Sequence, residues 1–92
     1  MTQFQQLHLG GTAVHPEGTA VAITLPLNTH SIYMKADGDA YYNVGTAVAA
    51  GTTTMGYIPA DTADMVFTAE NLATISFSAA AGVTVYVQYY SA

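Results

Sequence analysis

The sequence predicts an all-β domain, an antiparallel β-sandwich or small barrel of seven to eight short strands. Three observations predict it. Bulky apolar residues alternate with small or polar ones at a period of two, most clearly over residues 19–25, 73–79 and 83–90. Gly, Pro, Asn and Asp punctuate the chain about every ten residues. No stretch shows the 3.6-residue period of an amphipathic helix.

Residues 1–18 stand apart from the rest. Polar at first, then alternating through Leu7 and Leu9 up to Gly10-Gly11, they read as an edge strand or as an arm lying on a neighbouring subunit. Residues 19–92 read as a single β-sandwich domain. Pro16-Glu17-Gly18 makes a turn. In 19–25, Val21, Ile23 and Leu25 share one face and Ala20, Ala22 and Thr24 the other, which suits a central strand packed on both sides. Pro26 ends it.

The strongest local signal lies in residues 31–44. Two runs rich in β-branched and aromatic residues flank Asp37-Gly38, a dipeptide that takes the positive φ angles of a two-residue turn, so a β-hairpin is predicted. Ile32, Met34 and Ala36 share one face of its first strand, Tyr33 and Lys35 the other.

Residues 46–50 are alanine-rich but too few for a stable helix; they read as loop or strand edge. A strand over 52–58 is expected to hold Gly56 as a bulge. A polar turn over 60–64 precedes a strand at 65–68. In 73–79, Ile75 and Phe77 oppose a hydroxyl face of Thr74, Ser76 and Ser78. The last strand, 83–90, sends Val83, Val85, Val87 and Tyr89 one way and Thr84, Tyr86, Gln88 and Tyr90 the other. Gly-Thr-Ala-Val begins at Gly11, Gly18 and Gly45, and its unequal offsets mark recurrent turn-to-strand chemistry, not a structural repeat.

Charge is the most informative part of the composition. One Lys and six acids make a net charge of −5 and a charged fraction of 8%, against about 25% in ordinary soluble domains. So few charges on roughly 5,000 Å² of surface suggest a face shielded by copies of the chain or by another protein. A single basic residue cannot neutralise a row of phosphates, which argues against nucleic acid and acidic membranes as partners. No run approaches the ~20 apolar residues of a membrane span. The N-terminus has neither the basic start nor the apolar run of a signal peptide, so synthesis in cytosol is expected. With no cysteine, no disulfide can staple so small a core.

No stretch carries a catalytic or cofactor signature, so neither an enzyme nor a bound cofactor is expected. His8, His15 and His30 lack metal-ligand spacing. Asp37-Gly38-Asp39 resembles a fragment of a calcium loop without its remaining oxygen ligands, and turn chemistry accounts for both aspartates. Asp61 and Asp64 read as solvated turn acids. With no cysteine and no serine in a nucleophile-elbow setting, covalent catalysis has no candidate.

Tyrosine remains. Seven tyrosines and no tryptophan supply large contact area plus a hydroxyl at the entropic cost of two torsions, a combination interfaces favour. Tyr33 and Tyr41, on the outer phase of the hairpin, and Tyr86 and Tyr90, on the outer phase of the last strand, are the interface candidates.

The run from Ile32 to Gly45, I-Y-M-K-A-D-G-D-A-Y-Y-N-V-G, is followed by Tyr57-Ile58-Pro59-Ala60 and by Ile75-Ser76-Phe77 ahead of the strand opened by Gly82. Together these resemble small tailed-bacteriophage virion proteins, above all capsid decoration or cement proteins, over the C-terminal two thirds of the chain. The resemblance implies a compact, jelly-roll-like β-sandwich that assembles as a homo-oligomer, a trimer being favoured. It would bind the major capsid protein on the virion surface and stabilise the shell without enzymatic activity. The alternative is a carbohydrate-binding or tail-fibre-associated β-sandwich module.

Overall fold

Eight strands run through the residues that the computed structural model describes, which are 7–44, 56–67 and 72–91: β1 (His8–Val14), β2 (Val21–Thr24), β3 (Thr29–Ala36), β4 (Ala40–Val44), β5 (Gly56–Ile58), β6 (Ala63–Phe67), β7 (Thr74–Ala79) and β8 (Val85–Ser91). They form two antiparallel sheets of four, sheet A in the order β1-β8-β3-β6 and sheet B in the order β2-β7-β4-β5. The chain changes sheet at every connection except β4 to β5, which is the jelly-roll arrangement of a β-sandwich.

The alternation read from the sequence sorts side chains into the core. Ile32, Met34 and Ala36 of β3 and Val85 and Val87 of β8 meet Ile75, Phe77 and Ala79 of β7, with Ala40 and Ile58 beside them. Each large side chain so buried contributes about 1.5–3 kcal/mol. Ser76 and Ser78 are buried as well, on the outward phase of β7. They lie on β7, an inner strand of sheet B, and the Ser76 hydroxyl donates to the Asn43 carbonyl at 3.2 Å.

The predicted hairpin over residues 31–44 does not form. β3 pairs with β6 and β8, β4 with β5 and β7, and the segment Asp37-Gly38-Asp39 carries the chain from one sheet to the other. Its chemistry serves that crossing. The Thr84 amide donates to Asp37 Oδ1 at 2.7 Å, and the Ala60 amide to Asp39 Oδ1 at 3.0 Å. Gly38 has no positive φ; a Cβ there would approach Val83 Cγ2 to 2.6 Å, so the position demands space rather than a left-handed backbone.

Three further expectations change. β2 is an edge strand of sheet B instead of a central one: Val21 and Ile23 pack inward, while Ala22 and Thr24 face solvent. Small residues there reflect exposure, not a second packed layer. Gly10-Gly11 does not stop β1, which runs on to Val14 along β8 as the edge of sheet A, with an irregularity between His8 and Gly10. Gly56 shows no bulge; it pairs in register with Tyr42. Residues 1–6, the segment 46–50, the first part of the strand expected over 52–58 and the last residue of the strand expected at 65–68 lie outside the described residues.

Candidate functional site: the outer face of sheet A

Because β3 and β8 send Ile32, Met34, Val85 and Val87 inward, Tyr33, Lys35, Tyr86, Gln88 and Tyr90 stand on the opposite side. Register arranges them in rows. Lys35 lies between Tyr86 and Ala63, Tyr33 between Gln88 and Met65, and Ser31 between Tyr90 and Phe67. Neighbouring strands are about 4.8 Å apart, so these side chains form one continuous surface. Phe67 is 64% exposed, Tyr86 51%, Met65 39% and Tyr33 37%.

The β1 side of the face is ordered by polar contacts. His8 Nε2 lies 2.5 Å from Gln88 Oε1, and the His8 and Tyr90 rings meet at 5.3 Å with their planes 54° apart. A Cβ at Gly11 would stand 2.8 Å from Gln88 Cδ. Glycine there lets the Gln88 amide lie across β1 towards His8.

Charge is distributed unevenly. Lys35 is the only basic residue of the chain, and it has no ion-pair partner among the described residues. Glu17, Asp37, Asp39 and Asp61 sit in the connections at one end of the sandwich, while Asp64 occupies the inward phase of β6 opposite Met34. The described part of the face thus combines aromatic and thioether groups with one cation and no carboxylate.

Of the four tyrosines singled out in the sequence, Tyr33, Tyr86 and Tyr90 are brought together here. Tyr41 is not. Being on β4, it faces the other side of the molecule, where its ring stacks on Tyr57 at 5.3 Å and 29°. The pKa of the Tyr57 hydroxyl is pushed upward, by desolvation first and then by the nearby Asp39 carboxylate. Met65 and Phe67 escaped the sequence reading. Their alternation with Asp64 and Val66 was visible, but an acid in the inward phase concealed which set faces out.

Elsewhere the chemistry is sparse. A cleft of about 380 Å³ opens between the sheets, lined by Tyr42, Asn43, Val44, Gly56 and Val66. Its one titratable group, the Tyr42 hydroxyl, is pushed up to about 12 by burial and then by its hydrogen bond to Asp64, so it stays neutral at ordinary pH. His15 Nδ1 meets the Thr84 hydroxyl at 3.2 Å. Among the described residues no three His, Asp or Glu side chains converge as a metal site, and no helix is long and apolar enough to cross a membrane.

Compared with known proteins, the chain matches no family model, no curated protein and no solved structure.

Proposed function

We propose that the chain is a non-enzymatic virion structural protein, a capsid decoration or cement protein that docks on the major capsid protein through the outer face of sheet A. The observation that carries this reading is the set of exposed Tyr33, Met65, Phe67 and Tyr86 on one face of one sheet, with no carboxylate among them. Apolar surface of this kind is stabilised by cover. A stable contact needs about 800 Å² per partner, a modest part of the 5321 Å² that the described chain exposes. In this reading the protein acts on the capsid surface as a homo-oligomer, a trimer being favoured.

The test compares two sets of substitutions. Tyr33→Ser with Phe67→Ser and Tyr86→Ser strips the sheet A face, and Tyr41→Ser with Tyr57→Ser strips the stacked pair on sheet B. Co-sedimentation with purified shells of the phage that encodes the chain should fall about 1,000-fold for the first set, the equivalent of roughly 4 kcal/mol, and little for the second. Unchanged binding by the first set sinks the reading.

The Tyr41–Tyr57 stack favours one other reading, a carbohydrate-binding or tail-fibre-associated module that offers sheet B to a glycan. Glycan-array binding by the monomer, lost with Tyr41→Ser and Tyr57→Ser, would support it instead.

A further inference from the structure

We infer that Asp64 guards the open edge of β6, and that this edge is a latent strand-addition site for the β6 of a second copy of the chain. The inference concerns the sheet's edge and is independent of what covers its outer face.

Among the described residues β6 is the last strand of sheet A and pairs only with β3. The Ala36 amide donates to the Thr62 carbonyl at 3.4 Å, which fixes the phase of this antiparallel ladder: Asp64 and Val66 exchange hydrogen bonds with β3, whereas Ala63, Met65 and Phe67 direct their amides and carbonyls outward. Such a row is a template for another strand.

The usual protections are missing from β6. It has no proline, no lysine and no register shift. Among the described residues the other edges are blunter, since β1 contains Gly10-Gly11 and an irregularity, β2 has four residues and β5 three.

What β6 has instead is one bound carboxylate. Asp64 Oδ1 accepts from the Met65 amide at 2.8 Å, and Oδ2 from the Tyr42 hydroxyl at 2.7 Å. The first bond occupies the middle outward donor of the edge; the second satisfies the other carboxylate oxygen, so that the acid is tolerated on the inward phase. A second β6 is the fitting occupant. Antiparallel pairing about a two-fold axis at Met65 is self-complementary and would extend sheet A, joining the exposed Met65 and Phe67 side chains of both copies. With Asp64 in place that pairing loses its central donor; each Asp64 then stands opposite Val66 of the other copy, with the two carboxylates only diagonal neighbours about 7–8 Å apart.

Sedimentation velocity on the whole chain tests this. Asp64→Ala should produce a concentration-dependent species of twice the parent's mass, while Tyr42→Phe, which keeps the carboxylate on the Met65 amide, should retain the parent's mass. Adding Met65→Pro to Asp64→Ala removes the outward donor at a position where an edge strand accepts proline, and should restore the parent's mass. If Asp64→Ala does not fold, Asp64→Val, with a side chain suited to a strand, takes its place with the same expectation. A folded Asp64 variant that keeps the parent's mass overturns the inference, as does doubling by Tyr42→Phe or a failure of Met65→Pro to reverse the doubling.

Discussion

The Tyr42 hydroxyl on β4 donates to the Asp64 carboxylate on β6 at 2.7 Å, a side-chain bond that ties sheet B to the edge of sheet A. The two residues are 22 positions apart and lie in different sheets. A hydrogen bond to a charged acceptor contributes about 1.5–3 kcal/mol where water is excluded, and less at this half-buried site. Tyr42→Phe is therefore expected to lower unfolding stability by about 1–2 kcal/mol. Urea denaturation should show a lower midpoint with an unchanged slope; an unmoved midpoint would mean that the bond adds nothing to stability.

Alkaline pH reports on the same hydroxyl. Its pKa rises from 10.0 to about 12, through burial first, then the hydrogen bond to Asp64 and that carboxylate's charge. Folding favours the neutral form, so the contribution is fully present below pH 10 and is lost as pH climbs from 10 towards 12. Such a rise corresponds to about 2.7 kcal/mol, which solvent access to the half-buried ring reduces to ~1 kcal/mol. The stability gap between the parent and Tyr42→Phe should narrow by that ~1 kcal/mol between pH 9 and pH 12, and a constant gap contradicts burial and the Asp64 bond as the cause.

Gly56 supports the brace from below. A Cβ at this position would collide with the Tyr42 ring, so Gly56→Ala must displace the ring or the strand, at a cost of about 1–3 kcal/mol. Combined with Tyr42→Ala the two losses should be less than additive, because the collision disappears with the ring. Strict additivity in thermal unfolding would mean that the strain lies elsewhere.

At the other end of the sandwich, Gly38→Ala should destabilise by a similar ~1–3 kcal/mol through its contact with Val83. Val83→Ala should recover part of the loss. If Gly38→Ala alone is neutral in thermal unfolding, the crossing between β3 and β4 is looser than its geometry states.

The fold class was legible because period-two alternation survives any rearrangement of the connections. The buried set Ile32, Met34, Val85 and Val87 follows from it directly. The hairpin over 31–44 was misread because Asp37-Gly38-Asp39 suits two kinds of bend. A tight turn and a crossing between sheets use the same residues, and only partners distant in sequence, Thr84 and Ala60, decide between them. The same ambiguity put Tyr41 beside Tyr33. Alternation gives the phase within a strand but not the sheet to which the strand belongs. Met65 and Phe67 went unread for a related reason, since Asp64 is tolerated inside only because Tyr42 and the Met65 amide satisfy its oxygens.

β8 lies between β1 and β3 in sheet A, and this has a kinetic side. Among the described residues only β4 and β5 are both paired and consecutive in the chain; every other ladder joins strands separated by at least two others. Loop-closure entropy must be overcome before those contacts stabilise anything, which places such topologies in the millisecond-to-second range of folding times. During synthesis β1 and β3 are made long before the strand that separates them. Sheet A assembles only when β8 has left the ribosome, and until then the aromatic faces and the β6 edge are open to any neighbour.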